Sequence, residues 1–134
     1  MRKILSIWVV LFLLATTGCQ KDDFFDKFPP EIMFFQNTKV ENADFNQITL
    51  TQGTTQYQVK ARVSAPFKLK EIKIYVKSGS NETLLNTITT FGSTPTEYFV
   101  YQDITGLAGT TDVKFMAWDM DGRLTEKTFK ILFN

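Results

Sequence analysis

The chain of 134 residues carries few groups suited to chemistry: one cysteine, Cys19, and no histidine. Histidine is the usual general base and metal ligand near neutral pH, so its absence removes every triad and most zinc sites built on it. No G-x-S-x-G elbow, phosphate-binding glycine loop or H-E-x-x-H helix occurs. Paired carboxylates remain open, because two Asp or Glu residues suffice to hydrolyse a glycosidic bond. The acidic residues are scattered over alternating positions and turns, however, and a small sandwich is a poor host for that chemistry. The chain is therefore expected not to be an enzyme, to have no catalytic residue and to need no cofactor. Asp119-Met120-Asp121-Gly122 has the composition of a calcium-loop fragment. Counting back from Gly122 as the sixth position puts Ala117 first and Thr128 twelfth, and neither supplies the carboxylate that an EF-hand needs. A tight turn explains the motif, and no metal site is expected.

Cys19 has another use. It follows a cationic start, Met1-Arg2-Lys3, an apolar run over residues 4–15 broken only by Ser6, and the small residues Thr16-Thr17-Gly18. A basic start, a short apolar stretch and small residues at the end form a secretory signal peptide, and the run is too short to span a bilayer as a helix. The Gly18-Cys19 junction resembles the lipobox of bacterial lipoproteins, with Thr16 where leucine is usual. That resemblance implies a signal peptide over residues 1–18 and a lipid on Cys19, which anchors the chain to a membrane. Gln20-Lys21-Asp22-Asp23 then resembles the signal that sends lipoproteins of Bacteroidota to the outer face of the outer membrane. Lys21, Asp22 and Asp23 are accordingly expected to serve as an export signal, and the chain to face the cell exterior.

The whole sequence has 15 basic and 14 acidic residues, and loss of residues 1–18 removes Arg2 and Lys3 for a net charge of −1. A balance so near zero argues against nucleic acid as a partner, since that requires a concentrated basic footprint. Residues 19–30 are charged and end in Phe28-Pro29-Pro30, a composition that favours an extended, stiff tether. Phe24, Phe25 and Phe28 either pack back on the domain or enter the lipid interface. The folded domain is expected over residues 31–134.

Within that domain the period is two. Tyr57, Val59, Ala61, Val63 and Ala65 alternate with polar residues, as do Ile72, Ile74 and Val76. Val113, Phe115 and Ala117 form a third such set, and Phe129, Ile131 and Phe133 a fourth. Further strands are expected at 31–35, 46–50, 82–90 and 97–104. Ser78-Gly79-Ser80-Asn81 and Asp121-Gly122 are hairpin turns, and residues 106–111 form a longer corner. This spacing predicts an all-β fold, an immunoglobulin-like β-sandwich of seven to eight strands held together without a disulfide.

Asp103-Ile104-Thr105-Gly106-Leu107 and Val113-Lys114-Phe115-Met116-Ala117 resemble the E–F corner and F strand of fibronectin type III modules, without the corner tyrosine. More broadly, the last 80 residues are similar to the immunoglobulin-like modules of surface lipoproteins in gut Bacteroidota. That resemblance implies a spacer, an adhesion unit or a glycan-binding accessory.

One surface stands out. If Ile72, Ile74 and Val76 point inward, Tyr75 points out between Lys73 and Lys77. By the same alternation Met116 and Trp118 point out of their strand and Leu132 out of the last. Tyr75, Met116, Trp118 and Leu132 are therefore the candidate binding patch, unless Trp118 lies beneath residues 31–45. The expected function is a non-catalytic surface module for adhesion or protein interaction. The alternative is glycan binding on a Trp–Tyr platform, in the service of polysaccharide uptake.

Overall fold

Alternating apolar residues build strands in pairs of layers, because each strand has one face that must leave water. The computed structural model describes residues 28–37 and 45–134. Across them run β1 (Glu31–Phe35), β2 (Gln47–Leu50), β3 (Gln56–Ser64), β4 (Leu69–Ser78), β5 (Asn81–Ile88), β6 (Glu97–Thr105), β7 (Thr111–Asp119) and β8 (Leu124–Phe133). The signal peptide, Cys19, Lys21, Asp22, Asp23, Phe24 and Phe25 lie outside the described residues.

The strands form a three-stranded sheet, β1-β3-β6, and a five-stranded sheet, β2-β8-β7-β4-β5. The fold is all-β and immunoglobulin-like: the links from β3 to β4, β5 to β6 and β6 to β7 all cross between sheets. The first two strands divide between the layers. β1 lies antiparallel to β3, whereas β2 lies parallel to β8 in the other sheet.

Every inward residue expected from the alternation faces the core. Val59, Ala61 and Val63 of β3 oppose Ile72 and Ile74 of β4, Val113, Phe115 and Ala117 of β7, and Ile131 of β8, all fully buried. Phe34 supplies the centre, set edge-on to Phe115 at 5.3 Å and to Phe129 at 5.1 Å. Such edge-to-face pairs add about 0.5–1.5 kcal/mol each beyond the burial of their area. Phe45 and Tyr57 close on Phe129 from either side, and burial pushes the Tyr57 phenol above its ordinary pKa.

The inner face of β8 is polar in its first half. Thr125 and Lys127 share the face of Phe129, yet they reach across to the backbone of the first strand. The Thr125 hydroxyl donates to the Pro30 carbonyl, and Lys127 Nζ donates to the Ile32 carbonyl at 3.0 Å. Lys127 also lies 5.6 Å from the Phe34 ring, so its charge is partnered within the layer.

Candidate functional site

The outer face of the five-stranded sheet carries the expected aromatic residues, and the pairing between strands sets their heights. Glu71 pairs with Trp118, Lys73 with Met116, Tyr75 with Lys114, and Lys77 with Asp112. On the far side of β7, Trp118 pairs with Leu124, Met116 with Glu126, Lys114 with Thr128, and Asp112 with Lys130. Trp118, Met116 and Tyr75 are half-buried on this face. Trp118 and Tyr75 stand four residues apart in height, about 13 Å, with the Lys73–Met116 row between them. The two rings belong to one face but do not form one platform.

Each ring is matched to a cation. Lys73 Nζ lies 5.4 Å from the Trp118 centroid and Lys114 Nζ 4.9 Å from that of Tyr75. Lys73 also approaches Glu71 at 3.6 Å, and Lys114 donates to Glu82 of β5 at 2.8 Å. The hydrogen bond to Glu82, followed by the charges of Glu82 and Glu126, holds the Lys114 ammonium above the ordinary lysine pKa. It is therefore charged at any physiological pH.

Two corners of the face were not anticipated. Leu124, 41% exposed, takes the place beside Trp118, and Leu84 of β5, 48% exposed, stands beside Tyr75. Leu132 does not join them. It points outward but pairs with Thr49 of β2, eight residues beyond Leu124 and so about 26 Å along the strand. The charged row of Lys77, Asp112 and Lys130 separates it from Tyr75. The expected patch is corrected to Tyr75, Met116 and Trp118 with Leu84 and Leu124.

Residues 31–45 offered the alternative of covering Trp118, and their described aromatic and methionine side chains are all engaged elsewhere. Phe34 and Phe45 pack inside on Phe129, and Met33 meets Arg62 on the opposite sheet. Phe35 lies on that sheet's outer surface, 6.0 Å from both Phe99 and Tyr101. The signal of this second aromatic cluster in the sequence is the unbroken run Tyr98-Phe99-Val100-Tyr101, which puts large residues on both parities.

The calcium-like motif is a structural corner. The Asp119 side chain is fully buried and accepts from the amides of Asp121 at 3.0 Å and Arg123 at 2.9 Å, and from Arg123 Nε at 2.7 Å. Gly122, at φ 84°, lets the chain turn tightly enough to bring those donors round. Arg123 also lies 4.2 Å from the Phe67 ring, which fastens the β3–β4 loop to the same corner. Among the described residues no group of three or more acidic, cysteine or histidine side chains is placed to hold a metal.

No family model and no curated protein matches the chain. Its fold is shared with solved structures. A variant of the superoxide reductase (neelaredoxin) of Ignicoccus hospitalis aligns at a TM-score of 0.51 and 12% identity, over 80% of this chain and 81% of that one. Murine CRIg aligns at 0.43 and 10% identity, over 78% of this chain and 98% of that one. A chain from a study of T-cell activation by the bacterial superantigen toxic shock syndrome toxin-1 aligns at 0.46 and 11% identity, over 78% and 99%.

The first of these corrects an expectation. The chain was expected not to be an enzyme because a small sandwich is a poor host for catalysis, and superoxide reductase is an enzyme on this same fold. The fold thus gives no ground for excluding catalysis. At 12% identity the likeness is one of fold alone.

Proposed function

We propose that the chain is a lipid-anchored module on the exterior of a bacterial outer membrane that binds a protein partner, for adhesion or assembly, through the outer face of β4, β7 and β8. The observation that carries this reading is the mixed face itself: Trp118, Met116 and Tyr75 interleaved with Lys73 and Lys114, with exposed Leu84 and Leu124 at its corners. Apolar area ringed by charge marks binding surfaces, and Trp and Tyr dominate their energetics. The lysines at the two rings favour protein over sugar. Glycan stacking needs a free ring face, and here lysines paired with Glu71 and Glu82 stand over the rings, whereas apolar side chains of a protein partner can meet the ring edges.

Cells displaying wild type or Trp118→Ala, compared for adhesion to protein-coated surfaces and on a glycan array, test the reading. Loss of a central aromatic should weaken protein binding by about thirtyfold, some 2 kcal/mol, with the thermal unfolding of the chain little changed. Saturable sugar binding that disappears in Trp118→Ala would install the glycan alternative instead.

The address is tested separately. Cys19→Ala should abolish lipidation, read as loss of the acyl mass from the membrane-extracted protein. Alanine at Lys21, Asp22 and Asp23 should leave the lipid in place but reduce the protein that protease shaving removes from whole cells. Equal shaving of variant and wild type would remove the export-signal reading.

A further inference from the structure

We propose that β6 is a strand-addition site, which takes an extended, basic-flanked segment of another protein as a fourth strand of the three-stranded sheet. A sheet edge presents unpaired N–H and C=O groups, and proteins usually guard it with lysine, proline, a bulge or brevity. Among the described residues the sandwich has four such edges: β1, β2, β5 and β6. β1 has five residues and β2 four. β5 is irregular, because its register against β4 slips between Ile74 and Tyr75 and leaves Leu85 as the extra residue. β6 has none of these guards. It runs nine residues in unbroken register with β3 and contains no Pro, Lys or Arg.

The surroundings of β6 fit a strand on both of its faces. A recess of about 240 Å³ opens between β6 and β5, lined by Tyr98, Val100 and Gln102 on one side and Asn86 and Ile88 on the other. One side-chain hydrogen bond, Asn86 to Gln102 at 2.9 Å, spans that opening. The recess is smaller than the roughly 300–1,000 Å³ of small-molecule sites and suits individual aliphatic side chains of an added strand. On the outer face, Phe99 and the 49%-exposed Tyr101 stand ready to flank its alternate residues. Strand addition uses this division, with backbone bonds giving affinity and alternate pockets giving specificity.

Charge selects the occupant. From Ser78 to Val113 the sequence has four acidic residues, Glu82, Glu97, Asp103 and Asp112, and no basic one. Glu97 and Asp103 lie on the same face of β6, six residues apart, and so at about 20 Å. A second copy of this strand, paired antiparallel, would bring Glu97 and Asp103 against their own kind. A segment with Lys or Arg six residues apart would meet both, sharing Glu97 with Arg62 of β3 at 3.3 Å and Asp103 with Gln58 at 3.0 Å. The site is on the opposite sheet from Trp118 and does not rest on the function proposed for that face.

The test uses the full chain in detergent and a synthetic strand, Thr-Ile-Lys-Val-Thr-Val-Thr-Ile-Lys, whose lysines oppose Asp103 and Glu97 when it lies antiparallel to β6. Fluorescence anisotropy should show saturable binding, and hydrogen exchange should slow at alternate amides of residues 97–105. Glu97→Lys with Asp103→Lys should weaken binding at least tenfold, while the same peptide with glutamates for lysines should bind that double variant and not wild type. Trp118→Ala should bind as wild type does. No binding at about 1 mM peptide, protection on β5 or on the Trp118 face, indifference to the charge exchange, or self-association through β6 would each overturn the proposal.

Discussion

Phe115→Ala should destabilise the fold by about 3–5 kcal/mol, read from denaturant melts against wild type. Phe115 is fully buried, and its loss opens a void at the point where Phe34 holds the two sheets together. The surrounding strands are fixed by their ladders, so the void cannot close by collapse. Lys114→Ala, one residue away on the opposite face, should cost less than about 1 kcal/mol, because it removes only surface contacts, the pair with Glu82 and the approach to the Tyr75 ring. Equal losses in the two variants would mean that Phe115 does not carry the contact between the sheets.

Asp119→Ala should cost about 3 kcal/mol, an unusual penalty for a residue in a hairpin corner. The carboxylate is fully buried, while the Arg123 side chain is 16% exposed. Alanine would leave the guanidinium without its closest anion and two amides without their acceptor. Asp119→Asn keeps Oδ1 as acceptor for the two amides but turns an NH2 toward Arg123 Nε, so it loses the charge and that one hydrogen bond and should cost about 1–2 kcal/mol. If both variants melt as wild type does, the corner contributes nothing beyond its backbone geometry.

The parts of this fold that could be read from residues are those where one parity is apolar throughout. β3, β4, β7 and the second half of β8 are of that kind, and their faces are as the alternation implies. β8 itself begins at Leu124, earlier than its pattern, because Thr125 and Lys127 face inward and break the apolar repeat. Their partners are carbonyls of Pro30 and Ile32, almost a hundred residues away, and no local pattern announces them.

The outer face of the five-stranded sheet shows a sharper limit. Alternation assigns a side chain to a face but says nothing about its height relative to the next strand. Alternation thus puts Trp118 and Tyr75 on one face, but it also groups with them Leu132, which lies about 13 Å along the sheet from the Tyr75 row and about 26 Å from the Trp118 row. Leu124 is hidden twice over, because its stretch of β8 lacks the apolar repeat and only the β7–β8 register puts it beside Trp118. Catalysis is a different case: the lack of histidine and of familiar motifs removes only the chemistries that need them, and one architecture hosts many activities.

The bonds from β8 to the first strand bear on mechanics. In a module tethered before Glu31 and gripped by a partner at Trp118, tension enters through β1 and leaves through the other sheet. Its route runs through the β1–β3 ladder and through the grips of Thr125 and Lys127 on Pro30 and Ile32. Those two grips couple the loaded strand directly to β8, the neighbour of β7, so the pull reaches the five-stranded sheet without relying on core packing alone. If the proposed anchoring and partner hold, the chain would yield first by peeling β1, with β2 still paired to β8 as a second hold.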